Sequence, residues 1–216
     1  EYYYQVYCLG MWGTSGRTVF DGRAINRRLQ ELKTPESTGL FEYGYDGLRI
    51  SDIRLTADRS GCTRIYKAPE AGAPYVIGAD TAGEGSDFFV AHVMDNRTGE
   101  QVAVLRGQFD EDVFAHQLYC LGRHYNTALI GIETNFSTYP VMELERLGYP
   151  KQYVRETIDD YTHKPKQSYG FLTNGKTRPV IIAELIKAAR EDIGSINDET
   201  TLLEMLSFVR NPENLR

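Results

Sequence analysis

The sequence predicts an α/β protein built on a mixed sheet, in which an antiparallel hairpin and parallel strands are flanked by helices. Two observations carry this prediction. First, short apolar runs bounded by glycine, proline or polar residues occur at 76–80, 88–94, 101–109 and 129–133. Second, segments in which apolar residues recur at helical spacing lie between and after these runs. The polar turn at 95–99 ends in glycine and joins two of the runs as a hairpin.

Residues 1–74 are predicted to form an N-terminal linker or extension. Its elements, in order, are a helix at 21–32, a turn-rich stretch at 34–47 and β-like runs at 48–55 and 62–66. Pro69, Gly72 and Pro74 then interrupt the pattern and predict a domain boundary.

Residues 75–216 are predicted to form the main α/β domain. After the four runs above come a short strand at 153–155 and a polar loop at 156–167. The predicted helices are 112–124, 138–147, 179–193 and 199–205. Pro140 and Pro179 lie near helix starts, and Gly148 and Gly194 follow helix ends, as is typical of these residues.

Composition narrows the class of protein. The chain has 216 residues, of which 41% are hydrophobic and 25% charged, which is typical of a soluble globular protein. No apolar run approaches the ~18 residues that cross a membrane. The net charge of −6 argues against a surface that is basic throughout, but it is compatible with a local basic groove. Cys8, Cys62 and Cys120 lack metal-site spacing and are expected to be free thiols in a reducing compartment.

Two acids end apolar runs. Asp80 closes 76–80 just before a glycine-rich turn, and Glu133 closes 129–133. The carboxyl ends of strands form the edge of an α/β sheet at which ligands bind. Two acids that meet there either bind a divalent metal or have a raised pKa. Asp80 alone is also compatible with a turn-capping role, and the pairing with Glu133 favours a site.

The order of elements and the position of the two acids resemble the ribonuclease H-like nucleases, and in particular the C-terminal nuclease domain of the large terminase subunit of tailed bacteriophages. The segments that carry the resemblance are 78–83, 85–87, 132–135, 169–173, 177–178 and 208–211. The stretch 5–13 is similar to the end of the ATPase domain that precedes the nuclease in that family.

The resemblance implies a metal-dependent endonuclease that cuts double-stranded concatemeric DNA with little sequence specificity. Asp80 and Glu133 would hold two Mg²⁺ or Mn²⁺ ions, and Asp87 would be a further catalytic acid. The basic residues expected to guide DNA are Lys164, Lys166, Lys176 and Arg178. For Lys164 and Lys166, a solvated loop is an equally good interpretation.

The resemblance also implies partners and missing pieces. We expect an ATPase domain ahead of residue 1, a third acid beyond Arg216, and assembly with a small terminase subunit and a portal protein in the host cytoplasm, without a membrane. Two alternatives stay open: another ribonuclease H-like nuclease of the resolvase or transposase type, which the charge of −6 disfavours, or a docking module of the packaging motor that does not cut DNA.

Overall fold

The computed structural model of the chain describes residues 18–81, 87–158 and 165–209, with Thr157 and Lys166 described by their backbone alone. The chain divides into two compact units. One comprises residues 35–177, and the other comprises residues 1–34 together with 178–216.

The larger unit is built on a seven-stranded mixed sheet in the order β2-β1-β3-β6-β5-β4-β7. Its strands are β1 (Ser37–Asp46), β2 (Arg49–Ala57), β3 (Thr63–Ile65), β4 (Tyr75–Asp80), β5 (Phe89–Asp95), β6 (Gln101–Gly107) and β7 (Leu129–Ile132). β4 and β7 pair in parallel, and the other neighbours pair antiparallel. The mixed α/β sheet predicted from the sequence is therefore confirmed.

The helices α2 (Glu111–His124) and α3 (Tyr139–Arg146) contribute to the core of this unit. Alternate residues of the central strands, such as Ile77, Ala91 and Leu105, are buried in the same core as the apolar side chains of the helices. Because side chains alternate between the two faces of a strand, Gly78 and Asp80 lie on the opposite face of β4, and both are exposed.

The prediction of a turn-rich stretch at 34–47 is wrong, because β1 runs through it and pairs with β2 and β3. The glycines that suggested turns have another purpose. A Cβ atom at Gly39 would collide with the carbonyl oxygen of Thr56, so glycine permits the close approach of β2. Gly44 lies where the register with β2 shifts by a bulge.

The polar loop predicted at 156–167 is also partly wrong. Two strands, β8 (Val154–Ile158) and β9 (Pro165–Tyr169), form an antiparallel two-stranded sheet of their own. β9 has the sequence Pro-Lys-Gln-Ser-Tyr, which lacks the apolar alternation that predicts strands. The stretch 159–164 lies outside the described residues.

The domain boundary predicted near residue 74 falls inside the larger unit. β3 precedes the boundary and yet pairs with β6 in the same sheet that contains β4. The interruption at Pro69, Gly72 and Pro74 is a surface connection between strands: Gly72 has a φ of +74°, as a tight turn requires.

The described part of the second unit is helical. It contains α1 (Gly22–Glu31), α5 (Glu199–Ser207) and the part of α4 (Thr177–Glu191) that begins at Arg178. Asp21 caps α1 by accepting hydrogen bonds from the N–H groups of Arg23 and Ala24. The buried apolar residues of this unit are Phe20, Ile25, Ile196, Leu202, Met205 and Leu206. The helices predicted here are confirmed within two residues at each end.

The expectations of free cysteines and of no membrane-spanning segment can be compared with the structure for the described residues. Cys62 and Cys120 are free, as predicted, whereas Cys8 lies outside the described residues. None of the helices in the described ranges combines the length and apolar character needed to span a bilayer.

Candidate active site

The parallel pairing of β4 and β7 brings the two predicted acids together. Ala79 is the register partner of Ile132, so Asp80 and Glu133 occupy the next position on each strand. The N–H of Glu133 donates to the carbonyl oxygen of Ala79 at 2.8 Å, which extends the pairing to the acid itself. The two side chains therefore leave neighbouring strands on the same face of the sheet, at its carboxyl edge.

The carboxyl groups of Asp80 and Glu133 share a hydrogen bond. The pKa of Asp80 is raised from 3.8 to about 6, first by partial desolvation and then by repulsion from Glu133 and the shared hydrogen bond. A hydrogen bond from the N–H of Thr81 opposes this rise. Asp80 is an exposed residue and Glu133 is half-buried.

Asp87, the third predicted acid, lies two residues ahead of β5 and is exposed. Its negative charge adds a smaller contribution to the raised pKa of Asp80. The glycine-rich turn between Asp80 and Asp87 includes residues 82–86, which lie outside the described residues. Asp87 is therefore close enough to Asp80 for its negative charge to act on that carboxyl group.

The pair fits a hard divalent cation in the chemistry of its donors, since carboxylate oxygens are the ligands that Mg²⁺ and Mn²⁺ prefer. The raised pKa of Asp80 reflects partial desolvation and the proximity of a second carboxyl group, that of Glu133. Within the described ranges, however, no group of three or more His, Cys, Asp or Glu residues lies close enough to form a metal site. In the part of the chain that the structure describes, Asp80 and Glu133 thus present two carboxyl groups, and a divalent cation bound there would need further ligands.

The backbone around Glu133 is held by the segment 169–173. This segment is part of the family resemblance, but the sequence did not predict where it lies in the fold. Phe171 forms a parallel bridge with Glu133, and its carbonyl oxygen accepts hydrogen bonds from the N–H and hydroxyl of Thr134. The side chain of Asn135 then makes two hydrogen bonds with the backbone of Thr173, of 2.5 and 2.8 Å. The strand end that carries Glu133 is held on both sides, by β4 and by this segment.

Gly170 permits this arrangement. It has a φ of +85°, and a Cβ atom there would collide with the side chain of Thr134 and lie 3.0 Å from the carbonyl oxygen of Ile132. Both features favour glycine. The only sequence signal for its role is the glycine itself, at the end of a polar stretch, because its contacts are distant in the chain.

The structure describes only some of the four residues that were predicted to guide DNA. Lys164 lies outside the described residues, and the side chain of Lys166, within β9, is not described either. Lys176 and Arg178 flank the first residue of α4, and both are exposed. The start of α4 is capped by Asn174, whose side chain accepts from the N–H groups of Lys176 and Thr177.

Solved structures of large terminase nucleases resemble the chain over most of its length. The large terminase nuclease from thermophilic phage G20c with bound magnesium has a TM-score of 0.57 at 18% identity and covers 92% of this chain and 85% of that one. The same nuclease with bound cobalt gives 0.56 at 19% identity, with coverages of 92% and 85%. The large terminase nuclease domain of Thermus phage P74-26 gives 0.51 at 20% identity, with coverages of 88% and 81%.

The chain has the fold of the large terminase nucleases. This confirms the ribonuclease H-like sheet that the resemblance predicted. No protein-family model matches the chain, and no curated protein matches it. At identities of 18–20% the likeness shows the fold, so the activity must be argued from the residues that this terminase nuclease fold brings together.

Proposed function

We propose that the chain is a divalent-metal-dependent endonuclease of a viral DNA-packaging terminase. The observation that carries the proposal is the pair of carboxyl groups of Asp80 and Glu133 at adjacent strand ends, with the pKa of Asp80 raised to about 6. Two carboxyl groups held this close together destabilise the folded protein in the absence of a cation. Groups with such shifted pKa values are found mainly at functional sites.

The fold supports the proposal by analogy. The G20c terminase nucleases in the comparison bind magnesium, cobalt or zinc. We infer that Asp80 and Glu133 would hold Mg²⁺ or Mn²⁺ here, as acidic donors of a site for two ions. Asp87 supplies a further acidic group to the same site.

Bound divalent cations would neutralise the phosphoryl oxygens, activate the attacking water and stabilise the leaving oxygen of a phosphodiester. The residues of the chain would contribute position and charge. β4 holds Asp80 within a rigid ladder, and the hydrogen bonds of Thr134 and Asn135 hold the end of β7, so Glu133 keeps its place when DNA binds.

The substrate and partners belong to the same proposal. The substrate is double-stranded concatemeric DNA, cut with little sequence specificity, because contacts of lysine and arginine with phosphates position DNA without reading its bases. Lys164, Lys166, Lys176 and Arg178 are the proposed contacts. An ATPase domain, a small terminase subunit and a portal protein would complete the packaging machine in the host cytoplasm.

Cleavage of supercoiled plasmid by the natural full-length protein tests the proposal. We expect nicking in Mg²⁺ or Mn²⁺, none in EDTA, and a loss of at least about a hundredfold for Asp80→Asn and Glu133→Gln, because each removes a metal-ligating charge. Asp112→Asn is the matched control, since Asp112 is an exposed acid in the first turn of α2. Unchanged nicking by Asp80→Asn would contradict the proposal.

The same assay separates the alternatives. A resolvase or transposase-type enzyme would prefer branched DNA or specific end sequences over plain duplex. A docking module that does not cut would bind its partner equally well with and without Asp80→Asn and would leave the plasmid intact. The pair of carboxyl groups favours the nuclease over both.

A further inference from the structure

One row of residues runs across three strands of the sheet and ends at the acidic pair. Asp80 of β4 is the direct partner of Val90 of β5, and Val90 is the direct partner of Arg106 of β6. Direct partners in an antiparallel ladder project from the same face. Arg106 therefore lies on the face of the sheet that carries Asp80 and Glu133, in the same row.

The spacing of the row brings Arg106 within reach of the acidic pair. Directly opposed Cα atoms in antiparallel strands lie about 4.5–5.5 Å apart, so the Cα atoms of Arg106 and Asp80 are separated by roughly 10 Å. The only side chain between them in the row is Val90, which is short. A long arginine side chain can extend toward ligands bound beside Asp80 across such a gap.

An aromatic ring orients the arginine. The Cζ atom of Arg106 lies 3.8 Å from the centre of the Phe88 ring, and Phe88 directly follows Asp87 in the chain. Stacking uses the flat face of the guanidinium, whereas phosphate is bound by the N–H groups in its plane. The contact with Phe88 is thus compatible with a bidentate interaction with a phosphate.

The charge of the row explains what such an interaction would do. Asp80, Glu133 and Asp87 all repel a DNA backbone until cations bind. Arg106 places a permanent positive charge in the same row, two strands away from Asp80. A phosphate bound by Arg106 would therefore lie beside the phosphate that the acidic pair and its cations would hold.

We propose that Arg106, oriented by Phe88, is a positioning residue that binds a DNA phosphate adjacent to the scissile one. This inference rests on the proposed nuclease function and adds to it a substrate contact outside the acidic pair. Arg106 sets the register of the strand so that the neighbouring phosphodiester reaches Asp80 and Glu133.

The test measures duplex DNA binding and cleavage for Arg106→Gln, Arg106→Lys and Phe88→Leu. For Arg106→Gln we expect affinity to fall about tenfold, with KM rising more than kcat falls, since a charged hydrogen bond is lost. The plot of log K against log salt should become shallower by about 1, as expected when one phosphate contact is removed. A residue that only supported the fold would not change this slope.

The other variants give distinct results. Arg106→Lys keeps the charge and should restore the salt slope with part of the affinity. Phe88→Leu should weaken affinity while leaving the slope unchanged. Arg54→Gln is the control, because Arg54 is an exposed arginine on β2 at the far edge of the same sheet, paired with the exposed Glu42 in a salt bridge of 2.6 Å.

Normal affinity, KM and salt slope in Arg106→Gln, with an active wild type, would overturn this inference and leave the nuclease proposal intact. An inactive wild type that binds no DNA would overturn both. If circular dichroism shows that Arg106→Gln does not fold, Arg106→Lys and Phe88→Leu decide: wild-type KM in both would overturn the inference, and the changes described above would support it.

Discussion

The carboxyl groups of Asp80 and Glu133 share a hydrogen bond across the parallel strands β4 and β7. Because the pKa of Asp80 is about 6 in the folded protein and 3.8 ordinarily, the folded state holds the proton more tightly than the unfolded chain does. The contribution of Asp80 to stability is therefore complete below about pH 4 and is lost as pH rises through about 6.

The metal-free variant Asp80→Asn is accordingly expected to be more stable than the wild type at pH 7.5. The gain should be about 1 kcal/mol, less than the full pKa shift implies, because water screens the partly exposed pair. Thermal unfolding in EDTA should show a Tm about 2–4 °C higher. Asp112→Asn is the control, and a lower Tm for Asp80→Asn than for this control would contradict the prediction.

In the presence of divalent cations, the wild type should be more stable than Asp80→Asn. Mn²⁺ at about 100 times its Kd would stabilise the wild type by about 2.7 kcal/mol, which corresponds to a rise in Tm of roughly 5–10 °C. Asp80→Asn should show little of this rise, because it lacks one of the two carboxylates. Differential scanning fluorimetry with and without Mn²⁺ measures both, and equal rises in the two proteins would place the binding site elsewhere.

A separate polar network ties β1 to the helices. Glu143 of α3 accepts hydrogen bonds from Arg146, at 2.7 and 2.5 Å, and from Nε2 of His116 of α2, at 2.9 Å. The other ring nitrogen of His116, Nδ1, forms a hydrogen bond of 2.9 Å with the hydroxyl of Tyr43. Arg146 and then His116 hold the pKa of Glu143 at about 2.

This lowered pKa predicts an acid-sensitive contribution to stability. Glu143 stabilises the fold above its ordinary pKa of 4.5, and the contribution is lost as pH falls toward about 2. Glu143→Gln should cost about 2–3 kcal/mol at pH 7 and much less near pH 2.5, since it removes the negative charge and one of the two oxygens that accept from His116 and Arg146. Urea unfolding at both pH values measures the difference, with Glu145→Gln as an exposed control on the same helix. A cost that did not depend on pH would argue against an ionised Glu143.

Gly170→Ala should displace the backbone at the end of β7 and so disturb the position of Glu133. The added methyl group would meet the side chain of Thr134 in a residue that already has a φ of +85°. We expect a loss of about 2–4 kcal/mol and a fall in cleavage, because the end of β7 must shift. Gly175→Ala is the matched control, since nothing lies within 4 Å of the position that its added methyl group would occupy and its φ is not left-handed. Equal Tm values for the two variants would contradict the prediction.

The sequence is most informative where strands are buried. It predicts β4, β5, β6 and β7 within a residue or two at each end, because their apolar runs are bounded by turns that glycine or polar residues mark. The sequence does not predict β1 and β9, and the reason differs between the two strands. β1 contains glycines needed for close packing against β2, and β9 pairs only with β8 in a two-stranded sheet whose polar residues carry no alternation.

The candidate site divides in the same way. Asp80 and Glu133 could be predicted, because each ends an apolar run and the carboxyl edge of a sheet is a general location for ligands. The support from Phe171 and Thr173, and the row that leads to Arg106, depend on the register between strands that are distant in the sequence. No local pattern specifies that register, so these residues emerge only from the structure.

The parallel pairing of β4 with β7 also decides when during folding the acids meet. About 50 residues of chain, including the β5–β6 hairpin and α2, lie between the two strands, and closing so long a loop costs conformational entropy before the pairing can offset it. A nascent or unfolded chain would thus hold Asp80 and Glu133 far apart and have no way to concentrate cations between them. The proposed DNA-cutting centre would thus form together with the native fold and be lost when the chain unfolds.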